Sequence, residues 1–171
     1  MSDTKSTVIC PACAVEMTKV HIEEADLNVD ICLNGCGGIL FNNRELEKFD
    51  DKSKNADEIF EALRGKTFVP VNENEVRICP VCNTPMVKQG SGVEGVEIDV
   101  CNVCGAKFLD NGELEKIREC EKHSEYQAKI NHQVDKEVAV NGYIPTVKTH
   151  FWSAVARCAT EKVVGKILEN M

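Results

Sequence analysis

Eight of the ten cysteines in this 171-residue chain fall into two copies of one pattern. The first copy is Cys10-Pro11-x-Cys13 with Cys32-x3-Cys36, and the second is Cys79-Pro80-x-Cys82 with Cys101-x2-Cys104. In each, 18 residues separate the inner cysteines, and the first three cysteines of the two copies are offset by 69 residues. Two close pairs of thiols brought together at the base of a hairpin supply four soft ligands in a tetrahedron, the arrangement zinc prefers. The pattern therefore predicts two structural zinc ions per chain. One would be held by Cys10, Cys13, Cys32 and Cys36, the other by Cys79, Cys82, Cys101 and Cys104.

Four thiolates close the zinc shell, whereas catalytic zinc keeps an open position. No acid–base pair or nucleophile constellation is placed by spacing either, so the chain is read as a non-enzyme. Iron in a rubredoxin-like centre is the other metal such knuckles can hold. Those sites usually carry glycine after the second cysteine of each knuckle, where this chain has Ala14 and Asn83. A zinc–thiolate redox switch stays open as a lesser reading.

The elements around the cysteines repeat too. Ile9, Met17, Lys19 and Asp30 recur as Ile78, Met86, Lys88 and Asp99, and Glu45-Leu46-Glu47-Lys48 recurs as Glu113-Leu114-Glu115-Lys116. Internal duplication describes this economically, with Gly35 as the one inserted residue. Alternation marks strands through Leu27, Val29 and Ile31 and through Val96, Ile98 and Val100, with partner strands at 17–22 and 86–89. Asn42-x-x-Glu45 and Asp110-x-x-Glu113 resemble capping boxes, each predicting a helix start. The expected fold is a small metal-stabilised α+β protein: two zinc-ribbon hairpins, each followed by a helix, plus a helical C-terminal extension. The expected divisions are ribbon 1 at 8–50, a helical linker at 51–76, ribbon 2 at 77–118 and the extension at 119–171. Within the linker a helix is expected over Asp57–Arg64, with Gly65 as its cap. The second ribbon helix is expected to run from Glu113 to about Val140. A last helix, about Thr146–Glu169, would carry an uncharged stripe through Trp152, Ala156, Ala159, Val163 and Ile167. That stripe could pack on the protein, mediate homo-oligomers or docking to another protein, or bind a membrane surface.

The string Cys-Pro-x-Cys, then Ile/Val-Asp-x-Cys-x-x-Cys-Gly, then Leu-Asp-x-Gly-Glu-Leu-Glu-Lys resembles the prokaryotic zinc-ribbon family named after transcription factor IIB. Residues 78–117 carry it through Leu109–Lys116. Residues 9–49 carry it with Gly35 inserted and Phe41-Asn42-Asn43-Arg44 in place of Leu-Asp-x-Gly. The resemblance implies four-cysteine zinc ribbons in tandem, and such ribbons often serve as protein-contact modules.

Charge bears on partners. The formal net charge is -8, and two zinc centres of four thiolates would take it to roughly -12. Nucleic-acid binding leans on a basic footprint that is missing here. The expected role is thus a binding or adaptor module toward another protein, with a transcription-linked or nucleic-acid role as the alternative. No stretch has the roughly 18 to 20 apolar residues of a membrane span. The polar N-terminus and the thiol-rich composition fit a reducing, cytoplasmic setting. Two weaker motifs are set aside. Gly90–Gly95 fits G-x-G-x-x-G but precedes a strand and is expected to be a hairpin loop. Cys120-x-x-His123, with Cys158 distant, is expected to be helix surface, and His21 and His150 polar surface residues.

Overall fold

A computed structural model describes residues 7–120. The extension beyond Cys120, with the expected helix over 146–169, Cys158, His123 and His150, lies outside the described residues.

Each copy contributes three antiparallel strands: β1 (Thr18–Ile22), β2 (Leu27–Ile31) and β3 (Ile39–Phe41), then β4 (Val87–Gly90), β5 (Glu97–Val100) and β6 (Lys107–Leu109). Four lie where alternation placed them. β3 and β6 were not foreseen, and they join the copies. They pair antiparallel, Ile39 with Leu109, Leu40 with Phe108 and Phe41 with Lys107. The result is one six-stranded sheet in the order β1-β2-β3-β6-β5-β4. Leu40 and Phe108 are equivalent positions of the duplication, so the seam has a local two-fold axis at their pair, as in an isologous dimer.

The two faces of the sheet differ. Val29, Ile31, Ile39, Phe41, Ile98 and Leu109 point to one apolar core. It is covered by α1 (Asp57–Leu63), by α2 (Glu113–Glu119) and by a 3-10 turn at Leu46–Lys48. Leu46, Ile59, Leu114 and Ile117 are their fully buried anchors. Leu40 and Phe108 point the other way, into a second cluster that contains Met17, Met86 and cysteines of both copies. Asp30 and Asp99 alternate with the apolar residues of β2 and β5. Each is buried and faces a cross-strand lysine, Lys19 at 3.0 Å and Lys88 at 3.3 Å, the favourable opposite-charge pair of an antiparallel ladder.

α1 starts where expected and ends one residue early, at Leu63, with Arg64 as its C-cap and Gly65 following at φ 72. Two helices differ from expectation. After ribbon 1 there is only the 3-10 turn, because carbonyls that would continue a helix are engaged elsewhere. Lys54 Nζ donates to the Glu47 carbonyl at 2.5 Å, and Arg118 Nη1 donates to the Phe49 carbonyl at 2.6 Å. After ribbon 2, α2 stops at Glu119, and Cys120 is extended. The rest of its expected length lies outside the described residues. The capping boxes form by half: Glu45 and Glu113 accept the backbone N–H of Asn42 and Asp110 at 2.7 and 2.8 Å. Neither Asn42 nor Asp110 is the N-cap, since each opens a tight turn instead. Glu113 is therefore an anchor of that turn rather than an exposed helix acid, and burial pushes its carboxyl up to about 7. The 90–95 segment is the β4–β5 hairpin loop, closed by the Ser91 N–H donating to the Val96 carbonyl at 3.1 Å.

The third position of the second turn, Gly112, has φ 82, and nothing lies within 4 Å of where a Cβ would stand. Gly112→Ala should therefore cost about 1–2 kcal/mol through backbone strain alone. This is measurable as a lower thermal midpoint with zinc content unchanged.

Candidate metal centres

Each ribbon builds its quartet from two knuckles. In the first knuckle a short bridge, Ile9 to Glu16 or Ile78 to Pro85, turns the chain back on itself. The Cys10 N–H donates to the Val15 carbonyl and the Cys79 N–H to the Thr84 carbonyl, both at 2.8 Å. Between them Ala14 and Asn83 sit at φ 58 and 60, the positions where an iron knuckle usually places glycine. The second knuckle follows β2 or β5. It ends at Gly37 or Gly105, both at φ 76, whose N–H donates to the Cys32 or Cys101 carbonyl.

All eight candidate ligands come together as two groups of four. Within each group the sulfurs lie within 4.8 Å of one another. The short separations are 3.5 Å for Cys10–Cys36, 3.4 Å for Cys13–Cys32, 3.5 Å for Cys79–Cys104 and 3.3 Å for Cys82–Cys101. A disulfide needs about 2.0 Å, and none of the described cysteines forms one. A zinc tetrahedron places its sulfurs about 3.8 Å apart, inside the observed range. The donor set thus fits a tetrahedral metal in each ribbon and supports two structural zinc ions.

The backbone around the sulfurs is arranged for anions. Cys10 accepts N–H bonds from Ala12 and Cys13, and Cys79 from Cys82 and Val81. The last sulfurs, Cys36 and Cys104, accept from Gly38 and Ala106. Such amide-to-sulfur bonds orient thiolate ligands. Without a cation four thiolates cannot all ionise at this spacing. The Cys10 hydrogen bond, aided by the Gly38 amide and the Cys13 and Cys32 thiols, brings Cys36 down to about 6 against the effect of burial, and Cys10 is raised correspondingly. In the second quartet burial opposes ionisation of Cys101. The Thr84 hydroxyl, 3.2 Å away, and the amides of Cys104 and Val103 nonetheless bring it to about 6. Burial raises Cys104.

A polar group near the second quartet escaped the sequence reading. Arg77 is 2% exposed and donates to Asp99 at 2.7 Å and to both oxygens of Asp110 at 2.8 Å. Its guanidinium lies over the Phe108 ring, 4.8 Å from the centroid. The signal was in the repeat: Arg77 and Asp110 occupy the positions of Val8 and Asn42, so the cation and its counter-charge change together. Of the weaker candidates, Cys120 ends α2 outside both quartets, and exposed His21 contacts Asn28 at 3.2 Å.

Residues 9–51 and 78–119 each match the family model described as transcription factor zinc-finger. Comparison with curated proteins gives no match, and neither does comparison with solved structures.

Gly35, the extra residue of ribbon 1, faces the sulfurs. A Cβ there would stand 2.7 Å from Cys13 Sγ and 2.8 Å from Cys32 Sγ. Gly35→Ala should thus displace two thiols at once. Zinc analysis of the purified variant is expected to fall from two ions toward one, with the amide spectrum of ribbon 2 retained.

Proposed function

Because this chain carries two tandem zinc ribbons of the transcription factor IIB type, we propose that it is a non-catalytic adaptor whose second ribbon docks on another protein. Cys10, Cys13, Cys32 and Cys36 hold one structural zinc, and Cys79, Cys82, Cys101 and Cys104 hold the other. The ions fix the knuckles and so fix the surface the knuckles present.

The observation that carries the docking assignment is a difference between the copies. In ribbon 2 the knuckle tips expose Val81 (38%) and Val103 (68%), and the adjoining ladder exposes Val87 beside Ile78, whose counterpart Ile9 is exposed in ribbon 1 as well. Pro85, which pairs with Ile78, is exposed as well. The matching positions in ribbon 1 for Val81, Pro85 and Val87 are Ala12, Glu16 and Thr18. Equivalent positions of the first knuckle and its ladder thus carry a more apolar row in ribbon 2 and a smaller, more polar one in ribbon 1. Solvated valines at the tips of a metal-fixed loop offer area with little ordering cost on binding. Net charge -8 supports a protein partner over phosphates. The reaction chemistry of an enzyme is not part of this reading, since four thiols fill each metal shell and the family is generally a binding domain.

Two variants test it. Cys82→Ser should lose about one zinc equivalent and the fold of ribbon 2, and retention of both ions with intact folding contradicts the ligand assignment. Val81→Asp combined with Val103→Asp should keep both ions yet lose nuclease-resistant protein partners that the parent chain retains on affinity purification. Partners that vanish on nuclease treatment, together with recovered nucleic acid, would favour the transcription-linked alternative.

A further inference from the structure

The metal centre of ribbon 1 meets ribbon 2 across the seam. Two residues past the last thiol of ribbon 1, Gly38 lies against ribbon 2, and a Cβ there would stand 2.2 Å from Phe108 Cζ. The Phe108 ring is fully buried and is backed by the Arg77 guanidinium, itself held by Asp99 and Asp110. On its other side Gly38 serves the quartet. Its N–H bonds the Cys36 sulfur, and its carbonyl accepts the Cys32 N–H at 2.9 Å. One residue of ribbon 1 therefore contacts two of its own thiol residues and a ring fixed by ribbon 2.

The duplication shows that this is specific to one side. Gly38, Phe108 and Arg77 correspond to Ala106, Leu40 and Val8. By the two-fold of the seam the reciprocal pair is Ala106 with Leu40, a larger residue opposite a smaller side chain, and Val8 takes the place of the buried arginine.

We propose that ribbon 2 sets the zinc affinity of ribbon 1, with Phe108 as the positioning residue that holds the Gly38 amide on the Cys36 sulfur. This rests on the reading that both quartets hold zinc.

Chelator titration of the zinc-loaded full chain, followed by amide NMR at Gly37 and Gly105, reads the two sites separately. Phe108→Leu installs the residue that ribbon 1 carries at the same place. It should make ribbon 1 release zinc at about tenfold lower chelator concentration, the usual scale for losing a group that orients a ligand, with ribbon 2 unchanged. Gly38→Ala should do at least as much. Adding Phe108→Leu to Gly38→Ala should then restore most of the affinity, because the pair now matches Ala106 and Leu40, and a purely destabilising change would not rescue another. Equal weakening of both sites by Phe108→Leu, no weakening of either, or a double variant no better than Gly38→Ala overturns the proposal. A parent chain that holds fewer than two zinc ions overturns the metal reading itself, before any variant is compared.

Discussion

The pairing of β3 with β6 is the constraint on which the remaining structure depends. A ribbon of about 45 residues cannot bury enough apolar surface to fold well alone. Here its third strand is apolar on both faces, with Ile39 and Phe41 turned one way and Leu40 the other. Left unpaired, that strand would be an exposed hydrophobic edge, the kind of surface that aggregates. Setting the two third strands side by side removes both edges, and linking the copies in one chain gives each a high effective concentration of the other. The helix-face core then becomes continuous. Arg118 of α2 reaches across to the carbonyls of Phe49 and Lys54 and lies over Phe60. Zinc adds to this what thiols alone cannot, since metal binding energy becomes folding energy where the site forms only on folding.

Duplication of a symmetric unit allowed the copies to diverge where symmetry is not required. The cross-strand lysine–aspartate pairs, the knuckle turns and the glutamate-anchored turns are kept in both. The departures include Val8 against Arg77, Asn42 against Asp110, Arg44 against Gly112 and the added Gly35. The first two form one chemical change. A buried arginine is tolerated only where counter-charges meet it, and Asp99 and Asp110 supply them. Arg44 adopts φ 64 where its counterpart is glycine at φ 82, so ribbon 1 holds a side chain in a backbone state that ribbon 2 fills without strain.

Much of this was legible in the residues, for stated physical reasons. Thiol spacing is a local property, and it placed all eight cysteines in the two quartets that the structure assembles. Two-residue alternation placed β1, β2, β4 and β5. It failed for β3 and β6 because three-residue strands such as Ile39-Leu40-Phe41, buried on both faces, show no alternation to detect. The seam is a long-range pairing that no local pattern in the sequence reports. The helix after ribbon 1 was overestimated because a capping motif reports a start and says nothing about length. Lys54, just downstream, and Arg118, distant in sequence, take up carbonyls there. Arg77 was overlooked because a lone arginine is ordinarily solvated, and only comparison of the copies, with Val8 in its place, marks it as a paired change.

The seam is tested most directly by hydrogen exchange of the zinc-loaded chain. If the two ribbons are one cooperative sheet, the amides of Ile39–Phe41 and Lys107–Leu109 should exchange as slowly as the most protected amides of β2 and β5, through the same global opening. Fast exchange confined to β3 and β6, with β2 and β5 still protected, would mean that the ribbons fold as separate units and would contradict the account.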